Sequence, residues 1–399
     1  MRILFLTPEL PHPPESGGAI KTASIVSHLR RRHEVYVLCF RRHPLTGEQA
    51  RWAASTGQVE TAPLNRRRTP LNLLRSYISG LPLSVERNRS DGMRELVSER
   101  LRSGDYAALF VDHWLMAQYL PSGFAGLALL HEHNAEYLLW RRQAAQENNP
   151  LLGFLLRLEC ERVRRYEAAI LRRFQTVFAV SEADRQALLE LGVGPERVRL
   201  LPNLPDPALL ERPDLSFATT EPVILYFGTL SWQPNIEGLE YLLRSVFPLV
   251  RQRLPELRLV IAGKGAPSHL RRLARQTAGV EFLGPPEDAE PLFLRARLFI
   301  EASRTGGGTR LKVLNALARG LPVVASPQGA EGLEVVAGEH LLVAVDPEST
   351  AQAIIRLMTD EGLWRSLSEN GRDLIRRRYL AEVAYGSLDE VLSGISTKA

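Results

Sequence analysis

The stretch FIEASRTGGGTRLKVLNALARGLPVVAS, residues 299–326, decides the fold. It predicts a buried strand, a glycine-rich turn, a helix, a tight turn and a second buried strand. Three consecutive glycines, 306–308, lie where the first strand should pass into the helix, and glycine allows a sharp turn there. The backbone N–H groups and the positive end of the helix dipole would then face a ligand, with Arg310 and Lys312 beside it. The pattern suits a phosphate site, but glycine-rich turns also serve packing alone, and this stretch by itself does not decide between the two.

Length and composition narrow the class of protein. The chain has 399 residues, more than one hydrophobic core normally organises, so we expect two domains. The net charge of +5 is mild and spread along the chain, which argues against a nucleic-acid partner. Cys39 and Cys160 form neither a disulfide framework nor a metal knuckle and suit a reducing compartment. The chain starts with a strand-like MRILFLT instead of a signal peptide, and no apolar run reaches about 18 residues, so we expect a cytoplasmic protein.

Short apolar runs bounded by turn residues alternate with helical patterns. Runs of this length are typical of parallel strands that are buried on both faces. The predicted strands are 3–7, 35–40, 107–112, 127–131, 177–181, 198–202, 223–227, 257–262, 280–283, 298–302, 323–326 and 341–345. The predicted helices are 19–32, 91–102, 151–173, 182–191, 236–253, 267–276, 311–319 and 350–359. This alternation indicates α/β sheets.

The alternation stops at 204–220, a stretch rich in proline and acidic residues, and restarts at Val223. We therefore predict two Rossmann-like, doubly wound domains with parallel sheets that face each other across a cleft. The first covers 1–205, the second covers 206–375, and 376–399 carries a final helix that packs back on the first domain. Ligands of such sheets bind at the carboxyl ends of the strands.

The segment 65–88 does not fit the alternation. It combines three arginines, 66–68, with Leu73, Leu74, Tyr77 and Ile78. Basic charge beside an apolar helical face is typical of binding to an anionic membrane surface. An ordinary amphipathic helix packed on its own domain is the alternative, and the sequence favours it.

Several motifs carry a resemblance to a known family. The strongest is NALARGLPVVASPQGAEGL at 315–333, which resembles the pattern E-A-M-A-x-G-x-P-V-V-A-S followed by Gly-x-Glu-Gly-Leu. The supporting pieces, in the family's order, are PHPPESGG at 11–18, HNAEYLLWRR at 133–142, VSEADRQAL at 180–188, LPN at 201–203, YFGTLSWQPNIEGL at 226–239 and VIAGKG at 260–265. Together they resemble, over essentially the whole chain, the retaining family 4 glycosyltransferases of bacteria, with the GT-B fold and a glycine-rich turn.

The resemblance assigns roles in the first domain. Gly17 and Gly18 would let backbone N–H groups approach the diphosphate of the donor or the acceptor, although the two glycines also suit a plain helix start. The loop residues His133, Asn134 and Glu136 would contact the donor sugar or orient the acceptor. A histidine of near-neutral pKa suits acceptor activation, and His131 is the second candidate for that role. A lone histidine is more often structural.

The second domain departs from the family pattern. Many members carry Arg after the glycine that corresponds to Gly228, and Lys a few residues later. These two cations neutralise the leaving diphosphate. This chain has Thr229 at the position of the Arg, and Pro234 and Asn235 near the position of the Lys. We therefore expect Arg310 and Lys312 to replace those charges. Positions two apart on a helix do not share a face, so both reach one phosphate only if Arg310 precedes the helix.

The usual pair of glutamates, eight positions apart, is replaced by Gly307 and Asn315. Asn315 can still hydrogen-bond a ribose hydroxyl, and Gly307 can offer its N–H. Lys264 is expected near the nucleotide base, or else as a solvated loop lysine. The full set of predicted donor-binding residues is Gly17, Gly18, Gly228, Thr229, Gly306, Gly307, Gly308, Thr309, Asn315, Lys264 and Glu331.

The resemblance implies transfer of a sugar from a nucleotide-diphosphate sugar to a hydroxyl of a glycan, polysaccharide precursor or glycolipid, with retention. Domain closure would bring the two domains' groups together. The sequence has no Asp-x-Asp pair and no His/Cys cluster at ligand spacing, so no obligatory metal or other cofactor is expected. The alternatives are a nucleotide-sugar epimerase on the same scaffold and a non-catalytic protein that binds nucleotide sugar or glycan.

Overall fold

The computed structural model describes residues 1–14, 16–64, 69–305 and 309–396. Its contacts divide the chain into two compact units. Unit 1 comprises Met1–Pro202 together with the segment that begins at Tyr385, and unit 2 comprises Asn203–Ala384. The sequence places the boundaries at 205/206 and 375/376, whereas the contacts place them at 202/203 and 384/385.

Unit 1 contains a seven-stranded sheet in which neighbouring strands run parallel. The strands are β1 Arg2–Thr7, β2 Glu34–Arg41, β3 Val59–Pro63, β4 Ala108–Asp112, β5 Leu127–Glu132, β6 Thr176–Ala179 and β7 Val198–Leu200. Their order is β3-β2-β1-β4-β5-β6-β7, so the chain changes direction across the sheet between β1 and β4. Phe5, Phe110 and Phe178 stack on one face of this sheet, with 4.9 and 6.1 Å between successive ring centroids.

In the described part of unit 1, helices follow the strands of the sheet. They are α1 Gly17–Arg30, α2 Gly47–Thr56, α3 Pro70–Ser79, α4 Leu83–Glu86, α5 Asp91–Ser103, α6 Glu136–Gln146, α7 Pro150–Leu171 and α8 Glu182–Leu189, with short 3₁₀ turns at Trp114–Tyr119 and Pro195–Arg197. The first helix begins directly after Ser16, whose hydroxyl accepts a hydrogen bond from the N–H of Ala19 at 3.0 Å. Such a cap satisfies one of the unpaired N–H groups at a helix start.

Unit 2 repeats the architecture with a six-stranded sheet, again with parallel neighbours. The strands are β8 Val223–Phe227, β9 Arg258–Ala262, β10 Val280–Leu283, β11 Leu298–Glu301, β12 Val323–Ala325 and β13 Leu342–Val343, in the order β10-β9-β8-β11-β12-β13. The helices are α9 Ala208–Glu211, α10 Gln233–Tyr241, α11 Phe247–Arg253, α12 Ser268–Gln276, α13 Glu290–Arg295, α14 Leu311–Arg319, α15 Pro327–Ala330, α16 Pro347–Thr359, α17 Glu361–Arg378 and α18 Ala381–Ala384. A π-helical turn, Leu242–Val246, joins α10 to α11.

The last helix, α19 Gly386–Ser396, packs on unit 1. The Tyr385 hydroxyl donates to Ser24 Oγ at 3.0 Å, and His28 Nε2 lies 2.9 Å from Asp389 Oδ1. The hydroxyl of Ser387 donates to the carbonyl of Leu200 at 2.6 Å. These contacts tie the end of the described chain to α1 and β7.

All twelve predicted strands are present, and the structure adds β3. Its sequence, VETAP, has little apolar character because the strand lies at the edge of the sheet, where only Ala62 is buried. The long α17 was also absent from the prediction. Among the described residues, no helix is both long enough and apolar enough to cross a membrane.

Candidate active site

Unit 1 gathers polar side chains at the carboxyl ends of its central strands. Asp112 is the last residue of β4 and lies in register with His131 of β5. Because β1 borders β4, Thr7 at the end of β1 reaches Asp112. In open α/β sheets, ligands bind at this edge where the strand order changes direction. The topology therefore places these residues where a ligand site is expected.

The carboxylate of Asp112 is fully buried and has four hydrogen-bond partners. Its Oδ2 accepts from the hydroxyls of Thr7 at 3.2 Å and Thr22 at 2.5 Å. Its Oδ1 lies 2.7 Å from Nδ1 of His131 and 2.8 Å from Nε2 of His133. One carboxylate therefore fixes the orientation of two imidazole rings.

The charges in this cluster fix the histidine tautomers. Burial alone would raise the pKa of Asp112, but the charge of His133 and hydrogen bonds from both histidines outweigh it and hold that pKa well below its usual value. Burial lowers the pKa of His131 to about 3, so this ring is neutral near pH 7. An ionised carboxylate only accepts, so each ring nitrogen that faces it must carry hydrogen. Nδ1 is then the ring nitrogen of His133 that does not face the carboxylate, and in the neutral tautomer it offers a lone pair that can accept a hydrogen bond.

The predicted residues Gly18 and His133 lie together. A Cβ placed on Gly18 would be 3.6 Å from Nδ1 of His133, so the glycine borders the nitrogen that Asp112 leaves as an acceptor. Gly17 is the first residue of α1, beside it. The side chain of His133 is 14% exposed, whereas that of His131 is fully buried. His131 is therefore the supporting ring, and His133 is the one of this pair that a substrate can reach.

A strained backbone follows Asp112. His113 has φ of +87°, a conformation that side-chain-bearing residues rarely adopt, and its N–H donates to the carbonyl of His131 at 2.8 Å. Its ring centroid lies 5.1 Å from that of His133. Strain of this kind collects at functional sites, and sequence reasoning gave no role to this histidine.

The same cluster is the one group in the described part of the chain with the ligand spacing of a metal centre. One ligand atom each from Asp112, His131 and His133 lies within 4.8 Å of the others. Two imidazoles and a carboxylate are ligands that zinc accepts. In the structure, however, one oxygen of Asp112 faces both rings at hydrogen-bond distance, which a metal would replace by bonds of about 2 Å.

The remaining predicted residues of this loop lie beside a cluster of acids. Half-buried Asn134 precedes α6, whose first residue is Glu136. The carboxylate of Glu167 accepts from the N–H groups of Glu136 and Tyr137 at 2.8 and 2.9 Å, and so caps α6. Burial raises the pKa of Glu136 to about 8, with repulsion from Glu167 adding to the effect, so Glu136 is an acid that can donate a hydrogen bond.

Glu132, at the end of β5, was missed by sequence reasoning. It is fully buried, and neither carboxylate oxygen has a hydrogen-bond partner among the described residues. Burial, and then repulsion from Glu167, raises its pKa well above the usual value. Burial also raises the pKa of Glu167 to about 7. A folded-state pKa above the unfolded one means that stability is greatest at low pH and is lost as the pH rises through the folded value.

Glu132→Gln is therefore expected to stabilise unit 1 at pH 8.5 by about 1–3 kcal/mol relative to the unaltered protein, with a smaller gain at pH 7. Titration of His131 contributes little to the change in stability between pH 7 and pH 8.5, because this ring is mostly neutral there in both the folded and unfolded states. Hydrogen exchange of β4 and β5 peptides, compared between the two proteins at each pH, measures the difference. Glu99→Gln, on the exposed face of α5, is the control. Equal protection of both proteins at every pH would show that folding does not raise the pKa of Glu132.

In unit 2, a buried ion pair joins strand β11 to helix α14. Lys312, in the first turn of α14, places its Nζ 2.5 Å from Oε2 of Glu301, the last residue of β11. The same Nζ donates to the Tyr226 hydroxyl and to Asn235 Oδ1, each at 2.9 Å. Burial would raise the pKa of Glu301, but the charge and hydrogen bond of Lys312 lower it. Glu301 is therefore ionised, and Lys312 is held by protein groups.

Arg310 lies in the turn before the helix proper, as the N-cap residue of α14. Its Nη2 donates to the carbonyl of Thr305 at 3.1 Å, and its guanidinium lies 5.0 Å from the ring centroid of Trp232. Thr309, the residue before it, has a buried hydroxyl oxygen without a hydrogen-bond partner among the described residues. An unpaired polar atom at a helix N-terminus, beside a guanidinium, suits an anionic ligand.

Gly228 and Thr229 follow β8 and lie beside this ion pair. A Cβ on Gly228 would be 3.8 Å from Nζ of Lys312, and the carbonyl of Thr229 accepts from Asn235 Nδ2 at 2.7 Å. Gly263, with φ of +151°, lets the next loop approach, since a Cβ there would be 1.8 Å from the carbonyl oxygen of Gly228. The exposed Lys264 belongs to that loop.

Two predicted residues lie further along the chain of unit 2. The amide oxygen of Asn315 accepts from the N–H of Asp206 at 2.9 Å, so one of its hydrogen-bonding atoms contacts the segment that begins unit 2. Glu331 is half-buried at the end of α15. Gly306, Gly307 and Gly308, predicted to bind phosphate, lie outside the described residues.

Known proteins resemble both units. Residues 16–204 match the family model described as "Glycosyl transferase 4-like domain", and residues 221–360 match the one described as "Glycosyl transferases group 1". An uncharacterized 44.6 kDa protein of the cps region of Klebsiella pneumoniae is 27% identical over 172 residues, which cover 41% of this chain and 44% of that protein. The chain spans less than half the length of the curated relatives it matches.

Solved structures share the whole fold. Anabaena HepE in complex with UDP has a TM-score of 0.69 at 17% sequence identity, covering 99% of this chain and 100% of that one. Sucrose-phosphate synthase of Thermosynechococcus elongatus has a TM-score of 0.71 at 18% identity, covering all of both chains. The two family matches and this shared fold place the chain among the glycosyltransferases of GT-B architecture, with a 4-like domain in unit 1 and a group 1 domain in unit 2.

Proposed function

We propose that this protein transfers a sugar from a UDP-sugar to a hydroxyl of a glycan, polysaccharide precursor or glycolipid, with retention at the anomeric carbon, as a retaining family 4 enzyme. The observation that carries the proposal is the start of α14 in the group 1 domain, where Arg310 and the hydroxyl of Thr309, which has no hydrogen-bond partner among the described residues, lie at a helix N-terminus. The UDP bound by HepE supports uracil as the base.

Unit 2 would supply the stabilisation of the leaving group. The C–O bond to the diphosphate breaks, and negative charge develops on the departing UDP. Arg310 and the N–H groups at the start of α14 meet that charge, and Lys312 adds a positive charge behind Gly228. Fixed cations and dipoles of this kind lower the barrier because they need no reorganisation during the reaction. The proposal assigns charge compensation to these groups instead of a metal ion.

Unit 1 would orient the acceptor. With its Nε2–H donated to Asp112, His133 offers the lone pair on Nδ1 to an incoming hydroxyl. Gly18 leaves room beside that nitrogen. Asn134 and Glu136 follow in the same loop and are assigned to sugar hydroxyls, for which a protonated Glu136 is a donor.

A second candidate function is a non-catalytic protein that binds a nucleotide sugar. Asn315 favours it, because an amide replaces a family acid there and its oxygen already accepts from Asp206. Gly307 replaces the other acid. This alternative predicts donor binding without turnover.

A titration with UDP, GDP and ADP, followed by thermal unfolding, tests the donor site. We expect UDP to raise the Tm and Arg310→Ala to weaken UDP binding by about 10- to 100-fold, because a hydrogen bond to a charged group contributes about 1.5–3 kcal/mol. Arg304→Ala is the matched control, since Arg304 is an exposed arginine of the same loop whose guanidinium lies 4.7 Å from the ring centroid of Tyr241. No Tm rise with any nucleotide would contradict the proposal.

Radiolabelled sugar then separates the candidate activities. Transfer to a glycan or lipid-linked acceptor with retained anomeric configuration supports the proposed reaction. UDP-sugar binding without transfer supports the binding protein, and interconversion of the free donor supports an epimerase. We also propose that the segment 65–88 contacts the cytoplasmic face of a membrane, where a lipid-linked acceptor would be found.

A further inference from the structure

Helix α3 exposes its apolar side chains, whereas an ordinary surface helix packs its apolar face against the protein. Among residues 71–79, Ser76 is the only buried side chain. The large apolar side chains of this helix are all exposed, and Ile78 reaches 78%. They are Leu71, Leu73, Leu74, Tyr77 and Ile78, of which positions 71, 74 and 78 share one helical face.

The start of α7 repeats this arrangement. Among residues 151–158, Gly153 is the only fully buried position, and the large apolar side chains point outward. Leu151 is 70% exposed, and the set continues with Leu152, Phe154, Leu155 and Leu158. Most of the exposed large apolar side chains in the described part of the chain lie in these two stretches, whereas monomeric proteins rarely expose large contiguous apolar patches.

The two helices are held together by polar contacts behind their apolar faces. Arg162 of α7 donates to the carbonyl and the hydroxyl of Ser76, each at 2.6 Å, and its guanidinium lies 4.6 Å from the ring centroid of Tyr77. Glu159 of α7 accepts from the N–H of Leu83, the first residue of the following helix α4, at 2.6 Å. The buried serine is thus an anchor that fixes α3 on α7 with its leucines outward.

The charge pattern identifies what covers this surface. Within 69–85 and 148–158, the sequence contains Arg75 and Arg157 and no acidic residue. The acids that flank these windows, Glu86, Glu147 and Glu159, are buried or half-buried, so they do not belong to the exposed apolar faces. Both arginines are exposed. Apolar helical faces with basic residues and no acids bind anionic bilayers, whose negative surface attracts arginine while the leucines enter the interfacial region. A second copy would bring the same positive charges face to face, which disfavours self-association.

We propose that α3 and the first half of α7 form one surface that binds anionic phospholipid bilayers. The inference builds on the membrane contact proposed for 65–88, and it adds α7 as a second inserting element. The two helices act together, because the contacts of Arg162 fix one on the other.

Co-sedimentation of the full chain with vesicles tests this inference. We expect binding to phosphatidylcholine vesicles that contain phosphatidylglycerol, and about tenfold weaker binding to phosphatidylcholine alone. Leu74→Gln/Ile78→Gln in α3 and Leu151→Gln/Leu155→Gln in α7 should each weaken binding by about tenfold or more, because each removes apolar surface that enters the interface. Val345→Gln, at an exposed apolar position of unit 2, should leave binding unchanged.

The outcomes distinguish the two-helix surface from the membrane contact proposed for 65–88 and from the proposed sugar transfer. Loss of binding in the α3 variant alone would overturn the role of α7 and leave the contact of 65–88 standing. No vesicle binding would overturn both, and a concentration-dependent dimer that the same variants abolish would assign the surface to a second copy. Sugar transfer plays no part in the assay, so failure here is distinct from failure of the proposed activity. Circular dichroism confirms that each variant is folded.

Discussion

Asp112→Asn is expected to lower kcat for sugar transfer by about 10²- to 10⁴-fold, with little change in the affinity for UDP. An asparagine amide can donate a hydrogen bond, so His133 can face it with an unprotonated Nε2 and move its hydrogen to Nδ1. The nitrogen beside Gly18 would then carry hydrogen and could no longer accept one from an acceptor hydroxyl. Steady-state kinetics with separate kcat and KM values measures this loss.

Asp112 acts through His133, so a double variant distinguishes positioning from general damage. Once His133→Gln has removed the ring, adding Asp112→Asn should cost little more activity, because the two residues work as a unit. Nitrogen-15 spectra of the imidazoles should show the tautomer of His133 reversed in Asp112→Asn. Full activity of this variant, or losses that simply add in the double variant, would contradict the positioning role. UDP-induced Tm shifts identify variants that still fold.

Chelation tests whether the cluster of Asp112, His131 and His133 binds a metal ion. Asp112, His131 and His133 have the spacing of a metal site, but the carboxylate oxygen pairs with both rings. The hydrogen-bonded arrangement requires that dialysis against a chelator leaves activity unchanged. Activity lost on chelation and restored by zinc would show instead that these side chains are metal ligands.

The fold could be predicted from the sequence because parallel strands buried on both faces leave continuous apolar runs. Each run of the quoted stretch became a strand, with Leu298–Glu301 and Val323–Ala325 as neighbours in the sheet. β3 was missed because an edge strand needs few apolar residues. Helix α3 shows the limit of the approach. Its amphipathic pattern favoured an apolar face packed on its own domain, whereas the structure exposes that face, and the anchor Ser76 is visible only in space.

The site was only partly predictable. His133 and Gly18 were found through motifs, but their partner Asp112 sits in VDHW, a strand end that carries no motif. Glu301 offered a signal that went unused, since an acid in the apolar run LFIE requires a buried partner. The prediction of Lys312 as a phosphate ligand took no account of that acid, and the structure shows that the lysine belongs to an ion pair.

Lys312→Met is expected to destabilise unit 2 by about 3–5 kcal/mol, because it leaves the fully buried carboxylate of Glu301 without its counter-charge. Glu301→Gln/Lys312→Met should recover most of this loss, since it removes both charges. Differential scanning calorimetry of the unit 2 transition measures both effects. A matched control lies at the other end of α14, where Arg319 forms a buried pair with Glu290 at 2.9 Å. Arg319→Met and its rescue by Glu290→Gln should reproduce the stability pattern.

The effect on kcat should distinguish the Lys312–Glu301 pair from the Arg319–Glu290 pair. Lys312 is 13% exposed and Glu301 is fully buried, so the first pair presents its positive end towards Gly228 and the start of α14, where the diphosphate is proposed to bind. Removing the pair without unfolding the domain should therefore still lower kcat by about 10²- to 10³-fold, because the leaving group loses a fixed cation. The rescued Arg319 pair should retain full activity. Equal activity of both rescued proteins would mean that Lys312 serves only to neutralise Glu301, and that Arg310 and the helix N-terminus stabilise the diphosphate alone.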